Sequence, residues 1–422
     1  MFQAVAGAKG VDLANPDAIR AYLASLPFYV GGVIGGNTTC VEVRSGEHTI
    51  VVDAGSGLRS LGLSLMARDF ALGKGTAHLF FTHAHWDHLM GFPFFKPAYI
   101  KGNRIICYAV NHHPLEYLGH LMTGPTFFPI NPDVLPATFE YVTLQEGDTV
   151  QIGGVRVCNI HLHHPGIAYA YRFDDGDGSF VFASDAEFKT LDDENMRSHL
   201  EFFRGADVLA FDSQFTLKDA FTYEDWGHSS AFIGVDIALH SGTKRLITVH
   251  HDPNHTDRQI WEVAEAAQAY ARLQPDGASL EVTAGYEGLE IFLGEWEALK
   301  VSETIEHGAI VLALSGRLTA DAGQEIKARL QTLLAESWRR PVAVDLSDLA
   351  GAEPEGIAAL SDAVTAAGDM PLTLVVPPHH GRRLIDLTVQ NDRFAIYQDR
   401  QSALGAIVGP AHLRLAGRLI SG

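Results

Sequence analysis

The chain has 422 residues, 46% of them hydrophobic and 19% charged, enough for two or three domain cores. Its 51 acidic against 31 basic residues leave a net charge of −20, a balance that repels nucleic-acid backbones. Three cysteines exclude a disulfide framework, no apolar run reaches the roughly 18 residues of a membrane span, and residues 1–17 lack the apolar stretch of a secretory signal, so the expected location is the cytoplasm.

In chain order, a β-branched run at 49–53 ends in Asp53-Ala54-Gly55-Ser56-Gly57, and an apolar strand at 78–82 stops at a histidine cluster. Strands are predicted at 154–160, 168–173 and 179–183, and apolar strands of the buried α/β kind at 207–211 and 245–249. Thr256 and Gln259 stand at capping-box spacing before a helix over 257–273, whose Ile260, Val263, Ala264 and Ala267 share a face. Residues 281–293 read as hairpin strands. Beyond Trp296 strand and amphipathic helix alternate, with strands at 309–315, 342–346 and 372–376 and helices at 321–337, 356–367 and 382–389. The pattern predicts two α/β domains, 1–296 and 297–422. The first holds 36 acids, 19 bases and 17 of the 21 histidines, so the chemistry is expected there.

The strongest motif is Thr82-His83-Ala84-His85-Trp86-Asp87-His88, directly after a strand. Imidazole with carboxylate suits zinc, manganese or iron, and a strand end holds such groups rigidly. Further strand ends supply His161, His163 and His164, then Asp185, then His250 and His251. Six or seven ligands exceed the four of a closed structural zinc site, so two divalent ions with open positions are expected.

The order of these motifs over 35–293 resembles the metallo-β-lactamase superfamily, whose fold is a four-layer αββα sandwich. The resemblance implies His83, His85 and His164 on one ion, Asp87, His88 and His250 on the other, and Asp185 bridging, with zinc ahead of manganese or iron. His164 is preferred to its rival His163 because His164-Pro165-Gly166 is similar to the third motif of the phosphodiesterase branch. Asp53 matches an aspartate that orients the metal histidines from behind. Trp226-Gly227-His228-Ser229-Ser230 is similar to the Gly-His-Ser/Thr signature of the tRNase Z and cyclic phosphodiesterase branch. The resemblance thus implies His228 as general acid or phosphate clamp, Asp212 as its acidic partner, and Asp87 among the catalytic groups as well as the ligands.

The aromatic and proline-rich stretch 112–136 reads as a short packed helix, with a lid over the site as the other reading. No basic arm suited to gripping tRNA is visible, and the charge disfavours long nucleic acid. A small phosphodiester such as a cyclic nucleotide is the expected substrate. The alternatives are a thioesterase or lactonase of the same fold, and a catalytically silent metal-bound regulator.

The run Ile310-Val311-Leu312-Ala313-Leu314, then Val344-Asp345-Leu346-Ser347, then 383–388 and 394–397, resembles STAS domains over 303–406. Phosphorylatable members have a serine in an Asp-Ser-x-Gly turn; here the turn reads Glu353-Pro354-Glu355-Gly356, and Pro354 has no hydroxyl. The resemblance implies a non-phosphorylatable docking or regulatory domain, with a protein partner or a second copy as its occupant.

Overall fold

The computed structural model describes residues 33–189, 193–293, 298–336, 340–352, 372–376, 395–397 and 399–407, with 8–15, 18, 19, 22, 26, 28–31, 356 and 360. The chain divides into two compact units, Met1–Leu293 and Gly294–Gly422.

Two sheets form the centre of the first unit. One runs β1 (Val41–Ser45), β2 (His48–Val52), β3 (Thr76–Phe81), β4 (Arg104–Val110), β5 (Thr138–Leu144). Its β1 and β2 are antiparallel and the other neighbours parallel. The second is seven-stranded, in the order β12 (Glu281–Ala284), β11 (Arg245–Val249), β10 (Val208–Asp212), β9 (Ser179–Ala183), β8 (Ala168–Asp174), β7 (Val155–Leu162), β6 (Thr149–Ile152). Strands β6 to β9 form an antiparallel meander, and β9 to β12 are parallel.

Because side chains alternate along a strand, each sheet buries two faces. Ile50, Val52, Phe80 and Tyr108 of the first sheet meet Val157, Tyr171, Phe182 and Ile247 of the second. Phe80 stacks on Tyr108 at 4.3 Å and meets Tyr171 edge-on at 5.2 Å. On the outer side of the first sheet, Val51, Leu79 and Phe81 pack under Leu58 and Leu65 of the helix Gly57–Leu65. On the outer side of the second, Leu209, Phe211 and Leu246 pack under the helices Ala231–Ser241 and Asp257–Leu273. The layers are therefore helix, sheet, sheet, helix.

The helix Asp257–Leu273 begins at the expected capping box, with the Thr256 and Gln259 side chains each bonded to the other's backbone N–H. The stretch 281–293 departs from expectation. Only Glu281–Ala284 is a strand, and it pairs parallel to β11, so there is no hairpin. Leu289, Ile291 and Leu293 do alternate, but they pack against the inter-sheet core without joining a ladder. The stretch 112–136 contains the helix Pro114–Leu121, whose Leu118 is buried beside Met122, with Tyr117 edge-on to Phe81. That is the packed-helix reading.

The second unit is one sheet, β13 (Lys300–Glu306), β14 (Ala309–Leu318), β15 (Val342–Ala352), β16 (Leu372–Val375), β17 (Ala395–Tyr397), parallel except for β13 against β14. The helix Ala320–Glu336 sets Ile326, Leu330 and Leu333 against Leu312, Val344 and Leu374. The predicted helix over 382–389, most of that over 356–367, and Pro354 lie outside the described residues, as does the boundary region 294–297.

Candidate metal centre

The expected site residues stand just beyond strand ends: Asp53 after β2, His83 to His88 after β3, His164 after β7, Asp185 after β9, Asp212 at the end of β10, and His250 after β11. Asp53, Asp185 and His250 turn there through left-handed backbone, at φ 62°, 57° and 55°. The loops also touch through backbone. Ala54 donates to the His88 carbonyl at 2.7 Å and Gly91 to the Ala54 carbonyl at 2.8 Å. A Cβ on Gly91 would overlap the Gly55 carbonyl, so only glycine permits this approach.

Two groups of donors result. Ligand atoms of His83, His85, His164 and Asp185 lie within 4.8 Å of one another, and so do those of Asp87, His88 and His250. Asp185 reaches both groups: its oxygens are 3.7 Å from His83 Nε2, 3.8 Å from His164 Nε2, 3.2 Å from His88 Nε2 and 3.4 Å from His250 Nε2. Asp87 stands 3.3 Å from His88 Nε2 and 3.2 Å from His250 Nε2. Donors about 2.1 Å from a tetrahedral ion are about 3.4 Å from each other, the spacing found here. His163 is exposed and outside both groups, and His251 Nε2 turns to the Gly285 carbonyl at 3.2 Å.

Hydrogen bonds at the far nitrogens fix how the rings present themselves. His88 Nδ1 donates to Asp53 at 2.7 Å, and Asp53 is itself held by the Thr82 N–H and hydroxyl, both at 2.8 Å. His164 Nδ1 donates to the Gly227 carbonyl at 2.9 Å and His250 Nδ1 to Gln214 Oε1 at 2.9 Å. His83 Nδ1 meets the Thr82 hydroxyl at 3.0 Å. Each bond leaves an Nε2 lone pair aimed into the site, the tautomer a metal requires. His83 Nε2 is buried with no hydrogen-bond partner among the described residues, an arrangement that costs free energy unless a cation accepts its lone pair. The residues fit divalent metal binding. The Gln214 and Gly227 contacts were not legible in the sequence, since neither residue type signals a histidine orienter.

Electrostatics agree with a site that wants positive charge. Burial opposes ionisation of Asp185, yet the facing His250 and His88 rings hold its carboxyl well below the usual range. Burial likewise disfavours the His250 cation, but Asp185 and Asp87 outweigh it and lift the ring to about 9. His83 goes the other way, pushed well below its ordinary value by burial and by His88.

Beside this centre His228 Nδ1 donates to Asp212 at 2.7 Å. Asp212 is fully buried and also accepts from the N–H groups of Ala186, Gln214 and Ser229 at 3.1–3.3 Å. The His228 ring stacks on His250 at 5.1 Å and stands edge-on to His164 at 5.2 Å. A His228 ring nitrogen lies within 4.8 Å of ligand atoms on Asp185 and His250. Trp86 and Trp226, neighbours in sequence of His85 and Gly227, are 80% and 63% exposed.

Residues 48–251 match the family model described as a beta-lactamase superfamily domain, and residues 301–389 match the one described as "Mlab, STAS domain". No curated protein matches the chain. Among solved structures, the metallo-beta-lactamase fold protein YhfI from Bacillus subtilis is 18% identical, with 61% of this chain and 95% of that one covered at a TM-score of 0.43. A diphosphatase from the PhnP family is 20% identical, covering 61% and 85% at 0.42, and the short form of human tRNase Z is 16% identical, covering 53% and 87% at 0.41. An anti-sigma factor antagonist from Mycobacterium paratuberculosis, 21% identical, covers 26% of this chain and 96% of its own at 0.23. The two family matches thus give a metallo-β-lactamase-type domain over residues 48–251 and a STAS domain over residues 301–389.

Proposed function

We propose that the chain is a binuclear metal-dependent phosphodiesterase acting on a small phosphodiester such as a cyclic nucleotide, with zinc as the resident metal and manganese or iron as substitutes. The observation that supports this reading is the His228–Asp212 pair beside the two donor groups. His83, His85 and His164 would hold one ion, Asp87, His88 and His250 the other, and Asp185 both. Bound divalent ions would supply Lewis acidity at the phosphoryl oxygens and lower the pKa of water. The chain's own task is then to bring a proton to the leaving oxygen. Asp212, held by three backbone N–H groups, orients His228 through Nδ1, leaving Nε2–H to donate. The acidic charge of the first 296 residues favours a small substrate over a long nucleic acid. We propose 1–296 as the hydrolase domain and 297–422 as the STAS domain, whose occupant is a protein partner or a second copy.

The test is hydrolysis of cyclic nucleotides and of bis-p-nitrophenyl phosphate beside a thioester and a lactone. His228→Ala should lower kcat on diesters with poor leaving groups by about 10² to 10⁴ and lower it less with nitrophenolate, at unchanged metal content. Equal loss on good and poor leaving groups would remove the proton-donor role. Turnover of the thioester or lactone alone would replace the phosphodiesterase reading.

A further inference from the structure

Glu187 is a buried carboxylate that the proposed reaction does not use. It lies two residues beyond Asp185, and its backbone N–H donates to the His163 carbonyl at 2.9 Å. Its carboxylate crosses to a distant segment, where Oε1 accepts from the Asp225 N–H at 2.9 Å and Oε2 from the Gly227 N–H at 3.1 Å. Asp225 and Gly227 are both left-handed, at φ 70° and 84°, in a turn that neither a strand ladder nor a helix secures. The Gly227 carbonyl accepts from His164 Nδ1, and His228 is the next residue. A side chain on Gly227 would overlap His164 and Pro165, so the turn sits hard against that ring.

We propose that Glu187 is a positioning residue that sets the His164 ring and the His228 ring in one register through the 225–227 turn. A carboxylate accepting two backbone N–H groups is stronger than a neutral pair and fixes both points at once. A shift of the turn would therefore move a ligand ring and the proton donor together. His163, Glu187 and Asp225 also bring ligand atoms within 4.8 Å of one another. Both Glu187 oxygens are already taken by N–H groups, however, and Asp225 pairs with Lys189, so the group acts as a brace.

The proposal rests on the assignment of His164 and His228 above, and its test reads both activity and the metal environment. Glu187→Gln keeps the shape but replaces one accepting oxygen by an NH₂ that faces a backbone N–H, so one of the two bonds is lost. Glu187→Gln and Glu187→Ala should both lower kcat on poor leaving groups by about 10- to 100-fold, the usual range for a residue that orients a ligand from behind. Cobalt-substituted Glu187→Gln should show a shifted visible spectrum at two cobalt per chain. Parent-like rates and spectrum in Glu187→Gln would overturn the proposal, since a packing role is restored by an isosteric side chain. If the parent hydrolyses no phosphodiester, the phosphodiesterase reading fails separately, and the cobalt spectrum alone decides: a shift supports positioning and an unshifted spectrum overturns it. If Glu187→Ala does not fold, Glu187→Gln carries the same decision.

Discussion

The two units both set helices against sheets of mixed parallel and antiparallel strands, yet they treat buried charge in opposite ways. In the second unit, Asp345 is the buried charged side chain among the described residues, and Arg400 neutralises it at 2.5 Å while the Ser347 N–H and hydroxyl satisfy its other oxygen. In the first, Asp53, Asp185, Asp212 and Glu187 are buried, and among the described residues no lysine or arginine bonds them; they face imidazoles and backbone N–H groups. A carboxylate matched by a guanidinium is complete and holds a helix to a sheet. One matched by rings whose Nε2 atoms converge with further carboxylate and imidazole donors leaves binding capacity for a cation. The contrast separates structural from chemical use of the same side chain.

The largest effect that would break the contrast is at Asp185. Asp185→Ala should abolish hydrolysis with every leaving group and reduce metal below two ions per chain, read by elemental analysis of protein purified without chelator. Retention of both ions and of activity would show that Asp185 is a structural charge after all. Next is the clip in the second unit. Arg400→Met should destabilise that unit by about 1–3 kcal/mol, the cost of leaving a buried acceptor without its donor, with hydrolysis unchanged. Denaturant unfolding followed beside activity checks both halves. The smallest effect is acid sensitivity in the first unit, away from the metal centre. Burial, with His48 and Arg104 nearby, pushes His78 down to about 4, while its Nδ1 meets the Tyr108 hydroxyl at 3.0 Å. Between about pH 6.5 and 4 the unfolded chain then binds a proton that the folded chain refuses, so stability is present above pH 6.5 and declines as the pH falls. His78→Gln should flatten the pH dependence of the melting temperature across that window.

The helix Asp257–Leu273 and the strand Arg245–Val249 were legible because their apolar period and caps are local properties. The strand Lys300–Glu306 was missed for the converse reason. It is an exposed edge strand whose residues are nearly all in solvent, so it has no apolar alternation to read. The helix Arg400–Ile407 was also missed, being short and tied down by Arg400 to a distant aspartate. At the centre, the donor types and their placement after strands were visible in the sequence. The contacts at the far nitrogens were not, because Gln214 and the Gly227 carbonyl reach their histidines only through tertiary geometry.

The left-handed backbone at Asp53, Asp185 and His250 has a consequence for anyone wishing to make this protein hardier. A side chain held in that region costs roughly 1–2 kcal/mol, and glycine would relieve it at each position. Glycine at these three places would therefore trade that strain for the contacts each side chain makes, as with the bonds Asp53 accepts from His88 and Thr82. Each such change would remove a carboxylate or imidazole from the metal centre or its support. A thermostability campaign on this chain should hold these positions fixed and seek its improvements elsewhere, since here relief of strain and turnover are set against each other.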